Sequence, residues 1–92
     1  MHFIYILYSP TLKKYYVGET VDLTRRLYEH HHHIFKGSFT SRASDWDLKL
    51  NLSFDNILNA RKAEQFIKKM NSKKFIEKLL LDHRWFLEKF ND

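Results

Sequence analysis

The stretch Tyr15–His30 reads YYVGETVDLTRRLYEH and decides how the rest of the chain can fold. Its first five residues, Tyr15–Glu19, combine aromatic and β-branched side chains, which predicts a short β-strand. Gly18 lies near the end of this strand, a position that suits a backbone bend or the close approach of a ligand. Asp22 then marks the beginning of a helix, because an acidic residue at this point complements the helix dipole. The sequence therefore predicts a strand that leads directly into a helix.

Two side chains on the predicted helix lie at the edge of its buried face. At about 100° per residue, Leu23 and Leu27 define the inward stripe, while Arg26 and His30 flank it on one side. Placing a guanidinium and an imidazole at the rim of a core costs free energy unless both groups have partners. Since the preceding strand carries Tyr16, we expect these side chains to form part of a binding or catalytic site.

Hydrophobic patterns elsewhere in the chain predict further elements around this unit. Phe3–Tyr8 consists of aromatic and aliphatic residues, which predicts a central strand in an antiparallel hairpin with the strand described above. The polar stretch Ile34–Asp47 predicts a mobile connection that Phe39 and Trp46 hold to the core. The other predicted elements are a strand at Leu48–Phe54, a helix capped by Asp55 or Asn56 and running to about Met70, and a final helix from Lys73 to about Phe90. Together they predict a small α+β domain in the order β-β-α-β-α-α.

Composition restricts the class of protein. The chain has 92 residues, 43% of them hydrophobic, which is enough for one core and a single domain over residues 1–92. It has no cysteine, so neither a disulfide framework nor a cysteine-ligated metal is expected. The apolar N-terminal segment is too short to cross a bilayer and lacks a basic leader, so we expect a soluble cytoplasmic protein with no membrane partner. The net charge of +5 favours an anionic partner such as nucleic acid, although a lysine surplus that serves only solubility is about equally compatible.

The predicted helix that ends near Met70 carries a carboxylate on its apolar side. Its inward arc consists of Ile57, Ala60, Ala63, Ile67 and Met70. Glu64 lies inside that arc, where a carboxylate must be neutral, paired or bound to a cation. A structural ion pair, either with Lys68 one turn later or with Arg26 across the core, is the simplest interpretation for an isolated helix.

Four consecutive histidines, His30–His33, close the first predicted helix. Such a run could bind a metal ion, but a helix end that frays into solvent also tolerates imidazoles. For His31, His32 and His33 the second interpretation is favoured. His30 differs from the others because its position places it beside Arg26 on the inner edge.

Five side chains from two strands and two helices are expected to point toward one edge of the sheet: Tyr5, Tyr16, Arg26, His30 and Glu64. Their chemical types suit phosphodiester hydrolysis. Arg26 could stabilise charge on the non-bridging phosphate oxygens through bidentate hydrogen bonds. Glu64 could supply an oxygen ligand to a Mg²⁺-like ion, which normally keeps several waters and takes few carboxylates. A phenol is a poor base at neutral pH, but nearby cations favour the phenolate. Tyr16 is therefore a candidate to accept a proton from the attacking water.

These motifs together resemble those of the GIY-YIG nuclease family. The matching segments are Phe3-Ile4-Tyr5, Tyr16-Val17-Gly18, Asp22-Leu23 followed by Arg25-Arg26-Leu27 and His30, and ARKAEQFIK from Ala60 to Lys68. The resemblance extends from Phe3 to about Leu80 and is closest to the stand-alone, single-domain bacterial members, which are related to the N-terminal domain of the excision-repair subunit UvrC. Two departures are Phe3, in place of the first glycine, and Glu19, in place of a lysine in the repair nucleases.

The resemblance implies a three-stranded antiparallel sheet flanked by helices and one divalent metal ion, Mg²⁺ or Mn²⁺. It implies that Glu64 is the metal ligand, Arg26 the phosphate-stabilising residue and Tyr16 the candidate general base. Tyr5 would then be a positioning phenol and His30 an auxiliary residue. The expected activity is metal-dependent endonuclease cleavage of DNA, as in DNA repair, with branched, damaged or single-stranded targets left open.

Two other functions remain open from the sequence. The first is a nucleic-acid-binding module on the same fold with little or no hydrolytic activity, an interpretation that Glu19 favours. Its phosphate contacts would come from Lys13, Lys14, Lys36, Arg42, Lys68, Lys69, Lys73 and Lys74. Of these, Lys14, Lys36, Arg42 and Lys68, together with the backbone at Gly18, are the predicted nucleic-acid contacts. The second is a metal-buffering or interaction protein built on the histidine run.

Overall fold

The computed structural model describes residues 1–32 and 42–91. Three strands and four helices follow one another within these residues in the order β-β-α-β-α-α-α. The strands are β1 (His2–Ser9), β2 (Lys14–Thr20) and β3 (Asp47–Phe54), and the helices are α1 (Leu23–His31), α2 (Ile57–Met70), α3 (Lys73–Leu81) and α4 (Arg84–Phe90). The predicted α+β class is confirmed, and each strand in the structure is one or two residues longer than predicted.

The strands form a three-stranded antiparallel sheet in the order β2-β1-β3. The central position predicted for the first strand is therefore confirmed. In the register of the sheet, Tyr5 lies opposite Gly18 on β2 and opposite Asn51 on β3. A bulge interrupts the β1–β3 pairing between Ile6 and Leu7. This register places Tyr5 at the centre of the sheet, beside the second motif.

Both faces of β1 are buried, as its apolar sequence predicts. Ile4 and Ile6 belong to a core that β1 shares with α2, α3 and α4. Tyr5 and Leu7 point to the opposite face and pack with Trp46 and with the leucines of α1. The sheet therefore separates a larger core of aliphatic and phenylalanine side chains from a smaller core around Tyr5 and Trp46, which we call the aromatic core. The candidate site residues on β1 and β2 belong to this aromatic core.

The inward face predicted for α2 is confirmed at its centre but not at its end. Ala60, Ala63 and Ile67 are buried, and Asn56 rather than Asp55 caps the helix through its side chain. Met70 is 46% exposed, so its assignment to the inward arc was wrong. The last turn of α2, residues 68–70, lies clear of the core because all of its side chains are exposed.

The prediction of one final helix from Lys73 to Phe90 was wrong. Asp82 adopts an extended backbone conformation (φ −154°, ψ 110°) and separates α3 from α4. Its carboxylate accepts a hydrogen bond from the backbone of Arg84 at 3.3 Å, which provides an alternative to helical bonding. The break allows α4 to turn back, so that Phe86 is fully buried against Phe66 and Phe75.

The segment 42–46 is fixed to the hairpin, so the predicted mobile connection was wrong over these residues. Asp45 accepts hydrogen bonds from Ser9 Oγ at 2.6 Å and from the amide and hydroxyl of Thr11 at 2.9 and 2.6 Å. These bonds lower the pKa of the Asp45 carboxyl to about 2. Trp46 is 2% exposed and anchors the segment in the aromatic core, as predicted. The anchoring role predicted for Phe39 falls outside the described residues.

No helix within residues 1–32 and 42–91 is both long enough and apolar enough to span a bilayer.

Candidate active site

The turn between β2 and α1 orients the side chains of the helix. Asp22 is the N-cap, and its carboxylate accepts a hydrogen bond from the backbone of Arg25 at 3.0 Å. Thr20 is buried, and its hydroxyl accepts a bond from the Asp22 amide at 3.1 Å. The helix therefore begins in a fixed direction, which turns Arg26 and His30 toward the sheet.

Tyr5 and His30 form a buried pair at the centre of the candidate site. The Tyr5 Oη and His30 Nε2 atoms are 2.8 Å apart, and the two side chains are 0% and 3% exposed. Burial raises the pKa of Tyr5 above its usual value, while burial and then the Arg26 charge lower the pKa of His30. At neutral pH Tyr5 is therefore protonated and His30 is neutral. A neutral His30 with its ring proton on Nδ1 accepts the hydrogen bond of the Tyr5 hydroxyl at Nε2.

Gly18 provides the space that the Tyr5 ring occupies. A Cβ atom at position 18 would overlap the ring and hydroxyl of Tyr5, its partner across the β1–β2 register. Gly18 is buried within β2 rather than at its end. The close approach that the glycine permits is thus made by the Tyr5 ring, and the predicted nucleic-acid contact at Gly18 stays a prediction.

We expect the substitution Gly18→Ala to destabilise the protein by about 1–3 kcal/mol, the usual cost of overpacking a core. The reason is that the Tyr5 ring must move, and its bond to His30 must break or lengthen. Thermal and denaturant unfolding would measure the loss. If the overlap is the cause, adding Tyr5→Leu should cost less in the alanine variant than in the wild type; equal costs would contradict this explanation.

Tyr16 lies at the open edge of the same aromatic group. Its ring centroid is 5.3 Å from that of His30 and 6.2 Å from that of Tyr5. It packs edge-on against Trp46 at 6.5 Å and remains partly exposed. The two motif tyrosines therefore differ in their environment, because Tyr5 is sealed inside the core and Tyr16 can reach solvent.

Arg26 links α1 to the Tyr5 hydroxyl. A hydrogen bond from the guanidinium and its positive charge both act to lower the pKa of Tyr5, against the larger effect of burial. The Nε atom of Arg26 is also 3.4 Å from the Oε1 atom of Glu29, one turn later. Sequence spacing did not identify Glu29 as part of the site, although an i,i+3 pair on one helix is a recognisable signal. The guanidinium is thus held in one orientation at the rim of the core.

Glu64 approaches the same group of residues from α2. Its charge adds to the raised pKa of Tyr5, after the larger effects of burial and of Tyr16. Its Oε2 atom is 3.4 Å from Lys68 Nζ, so the ion pair that the sequence offered as the simplest alternative is present. The Glu64 side chain is 19% exposed and the Lys68 side chain 54% exposed. The carboxylate is therefore partly buried beside a cationic partner, and solvent still reaches a fifth of the side chain.

A single, partly exposed carboxylate suits one hard divalent ion. Mg²⁺ is usually held by one or two carboxylates, several waters and the phosphates of a substrate. Among residues 1–32 and 42–91, no group of three or more His, Cys, Asp and Glu side chains could hold a metal ion, so a closed site of the structural zinc type is absent there. Glu64 therefore fits the metal-ligand role that the resemblance implies, with waters and substrate completing the coordination.

The described histidines of the run make structural contacts. His31 Nε2 is 3.0 Å from the carbonyl oxygen of Trp46, so it joins α1 to the anchored segment 42–46. His32 Nδ1 is 2.9 Å from the Tyr28 carbonyl, and the two rings stack at 3.8 Å. His31 and His32 therefore stabilise the end of α1 through these contacts. The sequence had favoured a helix end that frays into solvent. His33 lies outside the described residues.

A basic groove lies beside the candidate site, between β2 and the helices α2 and α3. It has a volume of about 470 Å³ and opens next to Tyr16. Its lysines are Lys13, Lys14, Lys68 and Lys73, and its other polar lining residues are Tyr15, Tyr16, Asn71 and Ser72. We refer to this feature as the basic groove. The fold thus brings together lysines from the hairpin, from α2 and from α3.

Some of the predicted nucleic-acid contacts line the basic groove and others do not. Lys14 and Lys68 both line it. Arg42 is exposed on the anchored segment, next to Ala43 of the aromatic core, and is not one of the lining residues. Lys36 lies outside the described residues.

The acidic residue Glu19 is held away from the candidate site. Its Oε1 atom is 2.9 Å from His2 Nδ1, and strand alternation places it on the face of β2 opposite to Tyr16 and Gly18. Glu19 therefore lies on the face of the sheet opposite to the Tyr5–His30 pair.

The fold and the site define a nuclease-type domain. A family model described as the GIY-YIG catalytic domain matches residues 1–78, and the chain belongs to the GIY-YIG family. Searches of curated proteins and of solved structures gave no match. Members of this family are usually endonucleases, so the family supports nuclease activity in general.

Proposed function

We propose that the protein is an endonuclease that hydrolyses phosphodiester bonds in DNA with the help of one divalent ion, Mg²⁺ or Mn²⁺. The observation that carries this proposal is the match of residues 1–78 to the GIY-YIG catalytic domain. The cluster of Tyr5, Tyr16 and His30 supports it, since the Tyr5 Oη atom is 2.8 Å from His30 Nε2 and the two tyrosine ring centroids are 6.2 Å apart. The charges of Arg26 and Glu64 also act on the pKa of Tyr5, which supports a shared site. The adjoining basic groove supports a polyanionic substrate.

We assign each residue of the candidate site a separate role in hydrolysis. Arg26 would donate hydrogen bonds to the non-bridging phosphate oxygens, where charge develops as water attacks phosphorus and one P–O ester bond breaks. Tyr16 Oη would accept the proton that the attacking water loses. Glu64 would hold the divalent ion, which when bound supplies Lewis-acid polarisation of the phosphate. Tyr5 and His30 would not react, because burial keeps the phenol protonated, but they fix the position of Arg26.

A second candidate function is nucleic-acid binding without turnover. It is favoured by the ion pair between Glu64 and Lys68, because a carboxylate that already has a cationic partner does not require a metal ion. Such a module would bind nucleic acid through the basic groove without a divalent ion and with strong salt dependence. Substitution of Glu64 would leave that binding unchanged.

A nicking assay separates the two functions. We expect the purified protein to convert supercoiled plasmid to the nicked form in Mg²⁺ or Mn²⁺ and to lose this activity in EDTA, because Glu64 then has no ion to hold. Activity should return when the divalent ion is restored. The same protein should be assayed on branched, mismatched and single-stranded DNA and on RNA. A pure, folded protein that binds these substrates and cleaves none of them in either ion would contradict the endonuclease proposal and favour the binding module.

A further inference from the structure

We propose that Lys68 exchanges between two partners, the Glu64 carboxylate and a phosphate of a nucleic-acid strand in the basic groove. Strand binding and divalent-ion binding would then favour each other, because the strand removes Lys68 from the carboxylate that holds the ion. This inference rests on the proposed function in that it takes Glu64 as the ion ligand. It adds Lys68 as a positioning residue, and it couples strand binding to ion binding, which the proposed function does not.

The first observation is that Lys68 belongs to both features. Its ammonium group pairs with Glu64, and the residue also lines the basic groove. The distance of 3.4 Å is longer than the 2.7–2.9 Å typical of a charge-assisted hydrogen bond. Because the Lys68 side chain is also 54% exposed, the pair is screened and contributes little free energy. Exchange of the ammonium group to another anion therefore costs little.

The second observation is the chemistry of the groove. Its lining residues within residues 1–32 and 42–91 include four lysines and no carboxylate. Hydroxyl and amide groups from Ser72 and Asn71 also line it, and these can donate hydrogen bonds to phosphate oxygens. The Glu64 carboxylate that pairs with Lys68 is not one of the lining residues. A phosphodiester backbone is the ligand class that this lining fits, and its phosphates provide Lys68 with a second anionic partner.

The two observations imply competition at Glu64. An ammonium group held 3.4 Å from the carboxylate repels a divalent ion at the same group. When Lys68 turns to a phosphate, the carboxylate is left unpaired in a site where only 19% of its side chain is exposed, and a divalent ion compensates its charge. By thermodynamic linkage, an ion at Glu64 must favour strand binding by the same factor.

The ion half of the exchange can be tested without nucleic acid and without cleavage. We expect Lys68→Gln to bind Mn²⁺ up to about fivefold more tightly than the wild type, the range that a partly exposed ion pair allows. Lys69→Gln is the matched control, because Lys69 is the next residue of α2, is exposed and is not one of the groove residues. Isothermal titration or electron paramagnetic resonance of Mn²⁺ would measure both affinities. Equal affinities in the two variants would overturn the proposal.

The strand half can be tested in EDTA, with a fluorescent oligonucleotide and a double-mutant cycle. We expect Glu64→Gln to tighten oligonucleotide binding severalfold in the wild type, because it releases Lys68, and to have no such effect in the Lys68→Gln background. An equal gain in both backgrounds would show a general charge effect and overturn the exchange. Wild-type protein that binds Mn²⁺ through Glu64 but fails these comparisons would refute the exchange alone. Protein that binds no Mn²⁺ would refute the proposed metal site as well.

Discussion

Replacing Glu64 with glutamine is expected to lower the rate of DNA cleavage by roughly a thousandfold, which corresponds to ~4 kcal/mol of transition-state stabilisation. Glutamine keeps the shape of the side chain but removes the charge that a divalent ion requires. The fold should be unaffected, since the partly exposed pair with Lys68 contributes no more than about 1 kcal/mol. Single-turnover nicking and thermal unfolding, measured on the same preparation, would separate the two effects.

Glu88→Gln on α4 provides the control for this substitution. It makes the same chemical change on an exposed position of another helix, away from the residues that line the basic groove. Its nicking rate should match that of the wild type across a titration of Mg²⁺. A Glu64→Gln variant that nicks at the wild-type rate, or that needs no divalent ion, would show that the carboxylate is only a structural partner of Lys68.

The arrangement of the sheet and of α2 could be predicted from the sequence because it follows from short-range periodicity. The uninterrupted apolar run of β1 predicts a strand covered on both faces, and the register confirms it. Helical counting placed Glu64 at the inner side of α2, where it is found partly buried. It also placed Arg26 and His30 on one edge of α1, and both interact with Tyr5. Sequence spacing is sufficient to predict which side chains lie together when they share one face of the same helix or strand.

Features that depend on contacts between distant residues could not be predicted in this way. The pair of His2 with Glu19 joins residues 17 positions apart, and the strand register alone brings them together. The break at Asp82 is a related case, because the apolar pattern of the final segment continues across it. The break instead lets Phe86 pack against Phe66 on another helix, a contact that the local pattern does not show. Gly18 could be singled out as a special position, but its partner, the Tyr5 ring, becomes visible only in the sheet.

The substitution Arg26→Lys is expected to reduce cleavage by about a hundredfold, or ~2.7 kcal/mol, the lower end of the cost of removing one oriented donor group. Lysine keeps the positive charge and part of the pairing with Glu29, so stability and general attraction for DNA should change little. It cannot make two parallel hydrogen bonds to phosphate oxygens, and it cannot also reach the Tyr5 hydroxyl in the same geometry. The loss should therefore fall on the cleavage step, in single-turnover assays at saturating DNA.

Arg25→Lys is the matched control, because Arg25 is the preceding residue of α1 and its side chain is exposed. We expect it to cleave at the wild-type rate, with any change confined to the affinity for DNA. If Arg26→Lys also kept its cleavage rate, positive charge alone would be sufficient at this position, and the planar guanidinium would have no role in stabilising the transition state. If instead both variants lost affinity equally and neither lost rate, Arg26 would belong to the DNA-binding surface, and the catalytic edge of the sheet would reduce to Tyr16 and Glu64.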